Sequence, residues 1–127
     1  MAATEEDCRA RADESWRLAQ ELAAREKYGW ATTVAFYAAL YHVNELLVRA
    51  GKYSDDMDHP VRELFLRDHH PAIEVRYSSM LGKSIRTRYE VGFEADQEFF
   101  DYQARHYHAV REYVDRAVSG EIRGKYG

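Results

Sequence analysis

One cysteine, two prolines and seven glycines among 127 residues are low counts that exclude a good deal. Cys8 alone cannot form an intramolecular disulfide or a multi-cysteine zinc site, and it suits a reducing compartment. With so few prolines and glycines, helices meet few interruptions, and those present fall between stretches of helical periodicity. No apolar run approaches the length of a membrane span, and the acidic start MAATEEDCRA lacks the apolar centre of a signal peptide; we therefore expect a cytoplasmic protein. Phosphate-binding glycine loops, nucleophile elbows, HExxH and paired-cysteine patterns are missing too, which removes the common enzyme signatures. A formal charge of -4 argues against a globally basic nucleic-acid binder and leaves a local basic face as the route to RNA. A 46% hydrophobic and 31% charged composition is that of a folded chain rather than a disordered one. We expect a single domain over 1–127, with its core over about 4–119 and a flexible C-terminal tail over about 120–127.

The periodicity predicts an all-α fold, a compact bundle of four to five helices. Thr4 can cap a first helix, with Glu5, Glu6 and Asp7 against its positive end, and Gly29 is expected to end it. A second, central helix covers about 30–50, apolar nearly all round, with Gly51 just past its end. GKYSDDMDHP reads as a polar loop; Pro60 then suits the first turn of a short helix with Val61, Leu64 and Phe65 inward, limited by Pro71. The next helix places Ile73, Tyr77, Met80, Leu81 and Ile85 on one side and Arg76, Lys83 and Arg86 roughly opposite. Gly82 weakens its middle, and YEVGFEA breaks the chain before a last helix over about 95–119 with Phe99, Tyr102, His106, Val110, Tyr113 and Ala117 inward.

Three groups of residues carry candidate chemistry. His42 and Glu45 share one helix face and offer two metal ligands, yet di-iron bundles need Glu-x-x-His, an order absent from this chain. Otherwise His42, Asn44 and Glu45 must hydrogen-bond inside the bundle or at an oligomer interface. His106 and His108 point about 200° apart on one helix and cannot chelate together; the first is expected in the core and the second at the surface. The stretch DHPVRELFLRDHHP concentrates His59, Arg62, Arg67, His69 and His70. Arg62 and His69 lie seven apart, roughly 10 Å along a helix, a span that suits two groups acting on different atoms of one phosphodiester. His69 would move the proton and Arg62 would stabilise charge on phosphorus oxygens, with no metal needed. The same residues also suit a solvated helix whose negative end attracts cations.

The order of segments resembles the small bacterial HEPN domains. ATTVAFYAALYHVNELLVRAG is similar to their central helix, DHPVRELFLRDHHP follows a polar loop, and AIEVRYSSMLGKSIRTRYEV resembles their Y..L...S..ARY helix; together these span about residues 30 to 91. The resemblance implies a homodimeric helical bundle acting on RNA, in many members as a metal-independent endoribonuclease with an Arg-x(4-6)-His motif, in defence or toxin-antitoxin systems. Carried over, that motif is Arg62 and His69. Glu63 stands where the family's arginine is usually followed by a polar residue, often asparagine, and the motif here precedes two long helices. Arg67, His70, Arg76, Lys83 and Arg86 are the expected RNA contacts, and His42, Asn44 and Glu45 would line the dimer cleft. The alternative is a non-catalytic module that dimerises or docks an antitoxin or defence partner. Ten tyrosines suit either a semi-wet interface or a core whose hydroxyls reach the surface.

Overall fold

Thr4 caps the first helix as expected: its hydroxyl accepts the Asp7 amide at 3.0 Å and the Asp7 carboxylate accepts the Thr4 amide at 3.2 Å, a reciprocal capping box. Helix α1 then spans Glu5–Ala24, α2 Tyr28–Arg49, α3 His59–His69, α4 Pro71–Tyr89 and α5 Gln97–Ser119, in a computed structural model that describes residues 3–122. The expected C-terminal tail falls largely outside the described residues. Among them there is no strand, and the five helices form a compact bundle.

Side-chain carboxylates start two of the later helices. Asp58 accepts the Val61 amide at the head of α3, and Asp96 accepts the Phe99 amide at the head of α5. The first connection differs from expectation. Gly29 lies inside α2, and the turn is made by 25–27, with Glu26 in the left-handed region at φ 60. Gly51 and Gly92, at φ 71 and 82, supply the backbone conformation that side chains rarely adopt at the end of α2 and in the 90–96 loop.

Helix α2 is the hub. It packs against α1, α4 and α5, while α3 rests mainly on α4. Ala31, Ala35, Phe36, Ala38, Ala39, Val43 and Leu47 are fully buried, and the small residues among them let neighbours approach on several sides. Around this hub two helix faces, those of α3 and α5, are rotated from their expected positions. In α3, Val61 and Leu64 are about half exposed, whereas Arg62, Phe65 and Leu66 face inward. In α4, Ile73, Tyr77 and Met80 are buried as expected, and the departure is in the later turns, where Ser84 is buried and Ile85 is 44% exposed. In α5 the buried stripe is Phe100, Gln103, Tyr107, Val110 and Val114, one position on from most of the expected one, and Tyr102 points to solvent. Polar groups that look like surface residues in sequence find partners inside: the Gln103 amide nitrogen donates to the Thr32 carbonyl at 3.1 Å and the Met80 carbonyl at 3.0 Å.

Candidate functional site

The three polar residues in the middle of α2 are buried within one chain. His42 is fully buried; its Nε2 lies 3.2 Å from the Tyr107 hydroxyl and its Nδ1 lies 3.6 Å from Glu45 Oε1. The arrangement that serves both contacts has the Tyr107 hydroxyl donating to Nε2 and Nδ1–H facing the carboxylate. Arg9 reaches across from α1 to hold Glu45 through Nε and Nη2, each at 3.2 Å, and also pairs with Asp115 of α5 at 2.6 Å. Glu45 and His42 therefore join three helices. Both candidate metal ligands are already engaged, and the described residues contain no group of three or more that could hold a metal ion.

Asn44 meets Arg62, the arginine expected from the sequence to face a phosphate. Arg62 Nε donates to Asn44 Oδ1 at 2.9 Å and its Nη1 donates to the Met57 carbonyl at 3.2 Å, which leaves Arg62 8% exposed. Its charge acts on the neighbouring His59, whose Nδ1 lies 3.0 Å from the buried Tyr77 hydroxyl and whose ring packs on Phe36. Burial, then the Arg62 charge, lowers the His59 pKa, while burial raises that of Tyr77. Helix α3 is unbroken, so Arg62 and His69 stand roughly 10 Å apart along its axis. The Arg62 side chain turns toward α2, and His69 stacks on Phe65 at the far end.

The other residues of the α3 cluster separate as well. Arg67 is exposed and sits 3.8 Å from Glu74. His70 ends α3 with its Nδ1 2.7 Å from the Tyr113 hydroxyl, and burial, with a smaller push from His69, lowers its pKa to about 4. A histidine with a lowered folded pKa takes up its proton more readily when unfolded. Its contribution is therefore intact above its ordinary value near 6.5 and is lost as the pH falls from there toward 4. We expect the midpoint of thermal unfolding to fall over that interval, and the His70→Gln variant to show a shallower fall. Equal slopes in the two proteins, measured by circular dichroism, would remove His70 from the acid response.

Arg76 and Lys83 converge. Arg76 Nη1 lies 3.3 Å from His106 Nδ1, Ser79 Oγ lies 3.3 Å from His106 Nε2, and Lys83 Nζ donates to Ser79 Oγ at 3.1 Å. Burial, then Lys83 and Arg76, lowers the His106 pKa. Arg86 diverges from this group: its guanidinium stacks 4.1 Å from the Phe93 ring and its Nε pairs with Glu90 at 2.6 Å. His106 and Ser79 are the residues that sequence reading passed over for the site. His106 was expected in the core, and the α5 rotation brings it to the boundary beside the cations; the one signal available was its spacing from the Gln103–Tyr107 stripe.

Two of the surface hollows bear on the site. A groove of about 750 Å³ runs between α1, α2 and the 50–58 loop, lined by Asp7, Cys8, Arg11, Tyr41, Asn44 and Tyr53 among others. Burial, followed by the Glu45 charge, raises the Cys8 pKa, so its thiol is not an activated nucleophile. A smaller pocket of about 280 Å³ is lined by Gly29, Trp30, Thr33, Thr87 and Arg88. Trp30 at its mouth is 64% exposed, and Tyr37, two helical turns along α2, is also exposed. Among the described residues no helix is long and apolar enough to cross a membrane. No protein-family model matches this chain, and no curated protein matches it significantly.

Proposed function

We propose that this chain is an RNA-binding helical domain of the HEPN kind, working as a homodimer, with the outer face of α4 laid along the phosphate backbone. The observation that carries this reading is the pairing of Arg76 and Lys83 around His106, where neither cation forms an ion pair with a carboxylate among the described residues. Elsewhere on the bundle Arg9, Arg49, Arg67, Arg86, Arg111 and Arg116 each face an acid, whereas Arg11, Arg17, Arg25, Lys27, Lys52, Arg88 and Arg105 share the lack of one among the described residues. What sets Arg76 and Lys83 apart is that they converge on His106. Unneutralised cations on a net-acidic chain mark the place where an anionic polymer is attracted.

Binding is better supported than cleavage. Arg62 would have to leave Asn44 and the Met57 carbonyl to reach a phosphate, and a buried acceptor deprived of its donor is costly. The test uses a labelled single-stranded RNA and anisotropy across a salt series. Wild type is expected to bind with salt-sensitive affinity, and the Arg76→Gln/Lys83→Gln/Arg86→Gln variant to reduce the slope of log affinity against log salt by about two. An unchanged slope ends this placement of the RNA. The same preparations, incubated with RNA and EDTA beside His69→Ala, test the endoribonuclease version. Chelator-resistant cleavage lost in that variant would make His69 catalytic and leave Arg62 to be tested at temperatures where its own variant is folded.

A second reading, a non-catalytic module for a partner such as an antitoxin or defence protein, draws on the exposed Trp30 and Tyr37 on one face of α2. Aromatic side chains of this kind are enriched at protein interfaces. Sedimentation combined with the RNA titration separates the two: a dimer that binds RNA fits the first reading, and a chain of either oligomeric state that binds no RNA favours the module.

A further inference from the structure

We propose that the groove between α4 and α5 is a phosphate clamp, in which Arg76, Ser79 and Lys83 of α4 and His106 of α5 hold one phosphate group while His106 takes up a proton. The inference rests on the RNA reading for its biological ligand, but the chemistry it needs is that of a phosphate alone.

Spacing along α4 builds one side of the clamp. Arg76, Ser79 and Lys83 follow at intervals of three and four, so successive turns present a guanidinium, a hydroxyl and an ammonium on one face. His106 reaches in from α5 and touches the first two. The hydrogen bonds fix what is left to offer. An Arg76 N–H donates to His106 Nδ1, so in the neutral ring the hydrogen sits on Nε2 and points to Ser79 Oγ, which also receives the Lys83 ammonium. The Ser79 hydroxyl hydrogen and the remaining guanidinium and ammonium hydrogens are then available outward. All are donors, and phosphate oxygens are acceptors only.

Charge makes the clamp responsive. The groups acting on His106 are Lys83 and Arg76, both cationic, with no carboxylate among them. A proton on His106 goes to Nδ1 and displaces the Arg76 N–H, which is then free to turn to the phosphate. Without an anion that proton adds a third positive charge to two, and burial opposes it further. A bound phosphate reverses the sign of that interaction, so binding and protonation strengthen each other by linkage. Affinity should rise as the pH falls through the interval between the free and the bound pKa of His106, by at most about tenfold per pH unit.

The experiment follows the His106 ring protons by NMR as a function of pH, in the intact chain, alone and with each of two probes. One probe is inorganic sulfate, a phosphate mimic that does not titrate near neutrality; the other is a single-stranded RNA oligonucleotide ending in hydroxyls, whose phosphodiesters do not titrate either. We expect His106 to titrate below its ordinary value when free and about one unit higher when bound. RNA affinity should rise roughly tenfold between about pH 7.5 and 5.5, a response that His106→Gln abolishes and Ser79→Ala leaves weakened. If RNA binds through the basic face while the His106 titration stays put, the clamp is wrong and the RNA reading stands. A shift with sulfate but no binding of RNA keeps the clamp for small phosphates and sinks the RNA reading. No shift with either probe overturns the clamp outright.

Discussion

Glu45→Ala is expected to destabilise the fold by about 3 kcal/mol, read as a lower midpoint of urea unfolding at unchanged slope. The carboxylate is 3% exposed and holds the Arg9 guanidinium through both oxygens while facing His42 Nδ1 at 3.6 Å. Alanine removes the carboxylate that the fully buried His42 Nδ1 faces at 3.6 Å and leaves an arginine whose remaining acid is Asp115. Removing one member of a buried pair typically costs about 3 to 5 kcal/mol, and the partial exposure of Arg9 places this one at the lower end. The double variant Arg9→Met/Glu45→Met is expected to lose less than Glu45→Ala, because it leaves no charge without its partner. If Glu45→Ala costs under about 1 kcal/mol, the three-helix junction does not carry the weight assigned to it.

Arg62→Ala carries the second large effect, a loss of about 2–4 kcal/mol. Its guanidinium joins α3 to α2 through Asn44 and closes the preceding loop through the Met57 carbonyl, so truncation strips donors from two acceptors and opens a void under α3. Arg62→Lys should recover less than half of the loss, since an ammonium cannot reproduce the geometry of Nε and Nη1 together. Asn44→Ala removes the same hydrogen bond from its other side. In a double-mutant cycle the pair should therefore be far from additive. Additive losses would show that Arg62 stabilises the fold by some other route. The outcome also bears on the nuclease reading, because loss of cleavage in Arg62→Ala is interpretable only at temperatures where the variant is folded.

Much of the local architecture is written in short-range signals. The Thr4 cap, the glycine after α2, Pro60 in the first turn of α3 and the break over YEVGFEA all depend on residues a few positions apart, and each is found where those residues place it. Faces were harder to read than boundaries. Helix α3 has apolar residues at 61, 64, 65 and 66, which surround much of its circumference, so periodicity cannot choose between Val61 and Arg62 for the interior. In α5 the fully buried Gln103 reads as a surface residue, and counting it so turns the helix by one position.

The candidate site follows the same division. That α4 has a basic face with Arg76 and Lys83 on it is a matter of spacing alone. That His106 and Ser79 stand within 3.3 Å of each other depends on how α5 is rotated against α4, which Gln103 helps to set by bonding to Met80.

Composition and periodicity by themselves determined an all-helical chain, a count of four to five helices with their approximate limits, and α2 as the one packed on several sides. Only the tertiary structure decided that Arg62, Asn44, Glu45 and Gln103 belong inside. A buried polar group is tolerable when its partner is present, and here the partners lie 18, 36 and 71 residues away along the chain, beyond the reach of any local pattern.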